Sequence, residues 1–245
     1  MTAAELVVCP LCRNRRAAFF AWKNGYALSR CGDCGFLFLD PMPTPDELAS
    51  LYRDETSITP QFYPKANSRF RHALIKAIKL IRYIRNKDVI DVGCGGGFMA
   101  EAMHRLGGRA VGIDISSHAI AYARNRFPGV EFACEVLENF QNKGRIFDFV
   151  YCSEVIEHVP DAESFAAALA QICRVGGHLF VTTPDIGHWR VPKDLVSWPL
   201  VDPPRHVRYF NTTNLRMLLE RHGFVLRHKV FKLKPGLNVL AQRCI

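Results

Sequence analysis

The 245-residue chain has no apolar run long enough to cross a bilayer. Its opening, MTAAELVVCP, has no basic stretch leading into an apolar one. No secretory signal is therefore expected, and the cytoplasm is the expected compartment. Internal repeats and low-complexity tracts are also missing, which sets aside solenoids and disordered arrays. Apolar residues are not scarce: they make up 49% of the chain against 22% charged, the balance of a protein that buries a core. This length suits one large domain, or a domain with a small module attached.

Cysteine is plentiful and unevenly placed. Four of the nine (Cys9, Cys12, Cys31 and Cys34) fall within the first 34 residues, and the other five are scattered through apolar or glycine-rich surroundings. Two CxxC pairs separated by 18 residues can bring four thiolates together tetrahedrally on one metal ion. Zinc is the expected ion, and four thiolates leave it no open position, so the site is expected to be structural. Gly32 and Gly35 supply small residues for tight knuckle turns. A ribbon this small needs its metal to fold.

The formal charge is +9. Four thiolates on one zinc would bring it to about +7. Much of the excess lies between Lys65 and Lys87, with Arg69, Arg71, Lys76, Lys79, Arg82 and Arg85. At helical spacing Phe70, Ala73, Leu74, Ala77, Ile78, Ile81 and Ile84 share a face opposite His72, Lys76, Lys79 and Tyr83. The segment from about Ser68 to Arg85 reads as a helix. It is either docked with a solvated basic face or a surface for an anionic partner. Before it, Thr44 and Glu47 form a capping-box signature with Pro45 at the first helical position, and residues 56–68 read as a linker.

Beyond residue 87 strand-like and helix-like segments alternate. "DVIDVG", "RAVGID", "VEFAC", "FDFVYCS" and "HLFVTTP" read as strands. Helices are expected at 98–106, over "SSHAIAYARNRF" with a cap at Ser116 or Ser117, and over "DAESFAAALAQICR", ended by Gly176 and Gly177. An irregular stretch follows from Asp185 to Asn211, then helix "TNLRMLLERHG" and strands near 224–232 and 237–243. Such alternation predicts an α/β fold, a largely parallel sheet with helices on both faces.

The first of these strands runs into "DVGCGGGF". Asp91 closes the strand, and Gly93, Gly95 and Gly97 follow at alternate positions, letting backbone approach a ligand. The second strand ends at Asp114, about twenty residues on, where a carboxylate can hold ribose hydroxyls.

In order and spacing, "DVGCGGG", "GID", "VEFACE", "FDFVYCSEVIEHVPD" and "GGHLFVTTP" resemble class I S-adenosylmethionine-dependent methyltransferases over about residues 69–245. The resemblance implies a Rossmann-like seven-stranded sheet whose last strand is antiparallel. The "CxxC…CxxCG" head followed by "PMPTPDELASLY" resembles the zinc ribbon of a branch that includes sugar C-methyltransferases. The implied organisation is a ribbon over 1–40, a connecting helix and linker over 41–68, and the methyltransferase domain over 69–245. Carried over to this chain, Gly93, Gly95 and Gly97 would meet the amino acid part of S-adenosylmethionine. Asp114 would hold the ribose and Ile115 would pack on adenine. Glu135 would reach the adenine amine, although relatives usually carry Gly-Asp where this chain has Cys134-Glu135. Ser153 and Glu154 would flank the methyl group.

A sulfonium methyl is already activated, so alignment carries most of the catalysis. A hydroxyl or carbon-acid acceptor also needs a base, for which Glu154, Glu157, His158 and His206 are the candidates. His188, Trp189 and Trp198 are weaker candidates in a lid. The set Glu154-x-x-Glu157-His158 with His206 also resembles that of metal-assisted O-methyltransferases of the ubiquinone pathway and of small RNAs, which adds a second divalent metal to the candidates. The expected function is methyl transfer to a small-molecule acceptor: a sugar, quinone, lipid-linked or natural-product intermediate, anionic if the basic helix faces it. An RNA methyltransferase gripping phosphates with ribbon and basic helix is the alternative. A non-catalytic cofactor-binding or assembly module is the second. Against RNA, no basic-aromatic run forms a stacking platform, and the Asn/Asp-Pro-Pro-Tyr/Phe motif usual in base-amine methylating relatives is missing after the fourth strand.

Overall fold

The computed structural model describes residues 7–44, 47–48 and 63–245. Its main body is a seven-stranded sheet of β4 (Asp88–Val92), β5 (Arg109–Asp114), β6 (Glu131–Cys134), β7 (Phe147–Ser153), β8 (Cys173–Thr183), β10 (Phe224–Lys229) and β11 (Leu237–Arg243). The spatial order is β10-β11-β8-β7-β4-β5-β6. Pairs among β4 to β8 are parallel, and β11 runs antiparallel to both its neighbours.

Side chains alternate across this sheet as the period-2 pleat requires. Val89, Phe149, Tyr151 and Phe180 face a core closed by α1 (Ala66–Lys79), α3 (Phe98–Arg105) and α4 (Ser117–Arg126). Their neighbours Ile90, Val150, Cys152, Leu179 and Val181 face a second core closed by α5 (Leu137–Phe140), α6 (Ala162–Ile172) and α7 (Thr212–Arg221). Helix starts are set by short polar side chains that accept orphan N–H groups. Ser116 accepts from Ala119 N (3.2 Å), and Asp161 accepts from Glu163 N (3.0 Å) and Ser164 N (3.1 Å). Asn211 and Asn214 cap α7 reciprocally.

The N-terminal strands β1 (Ala17–Lys23), β2 (Tyr26–Cys31) and β3 (Leu37–Leu39) form an antiparallel sheet. A fourth strand, β9 (Arg208–Tyr209), comes from the far end of the chain and pairs Tyr209 with Leu37 and Arg208 with Phe38. Cys9, Leu11, Phe36 and Phe38 sit in the same core as Phe210, Leu215 and Leu218, so the cysteine module is packed onto the body.

Several expectations change. β2 is an addition to the sequence reading: "YALSRC" is short and without clear alternation, and it is a strand through pairing with β1 and β3. α6 does not run on to Gly176 and Gly177: it ends at Ile172 and β8 begins at once. These glycines lie inside that strand, with Gly176 at φ +83° and a register shift against β7. The basic helix breaks at Leu80 into α1 and the four-residue α2 (Ile81–Ile84). Ala73, Ala77 and Ile84 are buried, but Ile75 and Ile78 of α1 are exposed (Ile78 51%) and Ile81 after the break is 38% exposed, so the body is met by the small-residue face of α1. The capping box is present: Thr44 N donates to Glu47 Oε2 (2.7 Å) and Glu47 N to Thr44 Oγ1 (3.3 Å). The helix it would start, past Leu48, and the linker up to residue 62 lie outside the described residues.

Candidate active site

A cavity of about 610 Å³ opens at the carboxyl ends of β4, β5 and β7, where open α/β sheets place ligands. Gly93, Gly95, Asp114, Ile115, Glu135, Glu154 and His158 all line it.

The glycine loop is shaped by crowding as much as by ligand access. Gly93 has φ +71°, and a Cβ there would lie 2.3 Å from Val155 Cγ2. Gly97, at φ +77°, caps α3, and its Cβ would meet the Phe132 ring at 2.7 Å. It does not line the cavity. Gly95, at φ +49°, faces the cavity beneath the Tyr63 hydroxyl, and its N–H donates to Asp114 Oδ2 (2.7 Å). Asp114 Oδ1 accepts from Ser116 N (2.8 Å). Burial raises the Asp114 pKa against the pull of these N–H groups. Asp91 lies beneath the loop, 3% exposed and outside the cavity lining, and burial lifts its pKa to about 7.

At one end of the cavity Ile115 and Val136 stand 52% and 40% exposed, a slot for a flat apolar ring. Glu135 borders that slot, but its carboxylate is already ion-paired with Lys143. Val136, Leu137 and Tyr63 line the cavity without having been singled out from the sequence. Tyr63 falls in a stretch read as linker, where no periodicity marks a buried aromatic; it packs on Tyr122 and Phe98 with ring centroids 4.6 and 5.3 Å away.

At the other end Glu154 occupies the left-handed region at φ +56°. Such strain in a non-glycine residue costs about 1–3 kcal/mol and tends to mark functional positions. Its carboxylate accepts from Thr182 Oγ1 (2.7 Å), which is also bonded to Ser153 Oγ (2.7 Å). Ser153 therefore stands behind Glu154 and does not line the cavity.

Two imidazoles meet beside Glu154. His158 and His206 lie edge to face, with centroids 4.8 Å apart. Each is anchored through Nδ1 to a backbone carbonyl, Arg205 O and Leu200 O, both at 2.7 Å. A carbonyl only accepts, so Nδ1 carries the proton in each ring and Nε2 is left as an acceptor or ligand. Burial, with His206 alongside, depresses the His158 pKa to about 4, so the ring is neutral at physiological pH. Glu157 is 1% exposed, neither carboxylate oxygen makes a hydrogen bond of good geometry, and Oε1 lies 4.0 Å from His158 Nε2, with Thr183 and Glu154 as its other polar neighbours. Burial and then Glu154 push its pKa well upward. Donor atoms of Glu157, His158 and His206 lie within 4.8 Å of one another. Glu154 stands outside this trio. His188 and Trp189 form part of a more distant tip, and Trp198 is buried beneath the cysteine module's sheet.

The sulfurs of Cys9, Cys12, Cys31 and Cys34 also lie within 4.8 Å of one another, with Cys9–Cys34 at 3.7 Å and Cys12–Cys31 at 3.5 Å. The residue after each CxxC pair takes the left-handed conformation, Arg13 at φ +65° and Gly35 at φ +71°. Gly32 has no such need; its N–H donates to Arg16 O (2.9 Å) and ties the two knuckles together.

Residues 65–229, about two thirds of the chain, match the model of the family described as "Methyltransferase domain". The chain belongs to this methyltransferase family. Its sequence is 43% identical over 107 residues to a ubiquinone biosynthesis O-methyltransferase of Cupriavidus pinatubonensis, covering 41% of this chain and 42% of that protein. A Yersinia pestis protein of the same name is 42% identical over 105 residues, 41% of this chain and 43% of that one. The matched stretch thus spans less than half the length of these curated relatives.

Among solved structures, an S-adenosylmethionine-dependent methyltransferase from Mesorhizobium loti shares the fold. Its TM-score is 0.58 at 22% identity over 70% of this chain and 98% of that one. The 1,6-didemethyltoxoflavin-N1-methyltransferase of Burkholderia thailandensis, with bound 1,6-didemethyltoxoflavin and S-adenosylhomocysteine, gives a TM-score of 0.60 at 17% identity, covering 93% and 99%. The seven-stranded sheet and helices of this methyltransferase stand in the arrangement of that fold.

Proposed function

We propose that this methyltransferase moves the methyl group of S-adenosylmethionine to a hydroxyl of a small-molecule acceptor, of the dihydroxy-aromatic kind that precedes a quinone. The observation that carries this reading is the pair of backbone-anchored imidazoles His158 and His206 with the buried Glu157 beside them, of which His158 lines the cavity next to Glu154. The names of the curated relatives agree with it.

The cavity fits the cofactor. Its volume suits a nucleoside with an amino acid tail. On this reading Asp114 would take the ribose hydroxyls, Ile115 and Val136 the adenine, and Gly93 and Gly95 the methionine part, all of them lining the cavity. Bound S-adenosylmethionine supplies an activated methyl, leaving the protein to align the acceptor and exclude water. Glu135 enters adenine recognition only by sharing its carboxylate with Lys143.

Proton removal needs more than His158. A Tyr-like hydroxyl titrates near 10, so transfer to an imidazole of pKa about 4 is uphill by about 8 kcal/mol. His158 therefore orients the hydroxyl through Nε2 and is a weak base on its own. A buried carboxylate without hydrogen bonds is costly to ionise, and a divalent cation beside it removes that cost. Glu157, His158 and His206 form a two-histidine, one-carboxylate donor set that fits such an ion. The Nδ1 anchors are the outer bonds usual for ligating histidines. When bound, the ion supplies Lewis acidity that lowers the pKa of an acceptor hydroxyl.

The four N-terminal cysteines fit zinc. Tetrahedral thiolates at about 2.3 Å from the ion stand about 3.8 Å apart, close to the sulfur separations of 3.5 and 3.7 Å. Four thiolates would close the site, so a zinc there would hold the knuckles around Cys9–Cys34 in shape and do no chemistry.

The test is methyl transfer from labelled S-adenosylmethionine to a panel of catechols and, separately, to total RNA, with metal analysis of the purified chain. Label in catechols and one zinc per chain are expected. Label in RNA alone would sink the small-molecule reading, and failure to bind S-adenosylmethionine would point to a non-catalytic module.

A further inference from the structure

The loop after β10 and the segment after β8 meet at the carboxyl edge of the sheet, the same edge as the cavity. His188 Nε2 is bonded to Lys232 O (3.0 Å), and Arg190 donates to Leu233 O (3.2 Å). Two hydrogen bonds thus join the segments into one tip. It leaves large apolar side chains in solvent: Trp189 is 71% exposed, Phe231 75% and Leu233 63%. His188 stacks on Trp189, and the Arg190 guanidinium lies 5.4 Å over the same ring system, so the tryptophan is held outward.

The tip's own segments carry charge of one sign. Residues 186–193 and 225–236 contain no Asp or Glu. Arg190, Lys193, Lys232 and Lys234 make no ion pair among the described residues. Burial and then Lys76 of α1 depress the Lys232 ammonium, with Glu154 of the cavity pulling the other way, so the basic field reaches the neighbouring helix and is offset by one carboxylate on the cavity side.

We propose that this tip is a docking surface for an anionic lipid bilayer. Trp189, Phe231 and Leu233 enter the headgroup boundary, and the four cations meet lipid phosphates. A second copy of the chain would set like charges face to face, which disfavours a symmetric dimer through this surface. RNA would use stacking rings and has no use for Leu233, whereas a bilayer takes aliphatic and aromatic side chains alike. Docking here turns the cavity edge toward the membrane, and the proposal stands whatever the acceptor is.

The test mixes the full chain with vesicles of phosphatidylglycerol and phosphatidylcholine in equal parts, or of phosphatidylcholine alone, in low and in high salt. Flotation with the anionic vesicles is expected, lost on neutral ones and in high salt. Brominated lipid should quench tryptophan emission in the parent and much less in Trp189→Phe. The double variant Phe231→Ser/Leu233→Ser should lower partitioning by about a hundredfold while binding S-adenosylmethionine as before, which shows that it is folded. Equal binding to neutral vesicles, or anionic binding that survives the double variant, overturns the proposal. So does displacement by single-stranded RNA whose own binding the double variant abolishes, which would assign the tip to nucleic acid.

Discussion

Replacing Gly93 by alanine tests whether the glycine loop is held open by crowding against Val155. Two costs add. The left-handed φ of +71° costs an L-residue about 1–2 kcal/mol. The new Cβ would also sit 2.3 Å from Val155 Cγ2, and relieving that contact by rotamer or backbone shift costs about 1–3 kcal/mol. The sum, about 2–5 kcal/mol, corresponds to a fall in Tm on the order of 4–20 °C for a chain of this size. Val155 also lines the cavity, so its displacement should weaken S-adenosylmethionine by tenfold or more. The second substitution, Val155→Ala, removes the clashing methyl and leaves the φ strain untouched. The double variant should therefore recover the steric share, a favourable coupling of about 1–3 kcal/mol. Calorimetric titration with S-adenosylmethionine and thermal melts of all four proteins measure it. Strict additivity of the two substitutions would refute the crowding argument.

Gly95→Val places a β-branched residue at φ +49° beneath Tyr63; calorimetry should find no cofactor binding while zinc content stays at parent level. Cys12→Ser should lose zinc by metal analysis and lower Tm. Because β9 pairs with β3, hydrogen exchange should also rise at residues 205–209. In the metal-stripped chain, the His158 pKa of about 4 lies below the ordinary 6.5, so the unfolded state takes up the proton first. Its contribution, on the order of 3 kcal/mol before discounting its partial exposure, is present above pH 6.5 and is lost as pH falls toward 4. His158→Phe should flatten that part of the denaturation profile.

Regular elements were readable from the sequence where period and packing agree. "DVIDV" alternates across β4, with Val89 toward α3 and Ile90 toward α6, and both faces are buried. Asp114 could be placed from its distance to the glycines alone. Elements made by tertiary pairing were not readable. β9 is two residues long and is a strand only because Leu37 and Phe38 lie beside it. The break at Leu80, which no local propensity announces, and the choice of Ala73 and Ala77 as the buried face of α1, which leaves Ile78 exposed, were not readable either. The glycine pattern located the loop but could not say which glycines face ligand. Gly97 is set by Phe132 and Ala123, residues far from it in sequence.

The joined sheet also explains why a cysteine module belongs on this methyltransferase. Glu157 O accepts from Val207 N (2.9 Å) and Arg208 N (3.2 Å), and Leu39 N donates to Val207 O (3.0 Å). The buried Arg208 side chain clamps Val159 O and Pro160 O. One short strand thus touches the module on one side and the Glu157–Pro160 turn on the other, with His206 immediately before it. His206 and His158 come from segments 48 residues apart in the chain, and each needs its backbone anchor to present Nε2. A loop returning from β8 has no internal periodicity to fix that geometry. Pairing with β3 supplies it, and β3 is in turn tied through Phe36 and Cys31 to the four sulfurs. The module therefore holds the strand that follows His206 against the turn that carries His158.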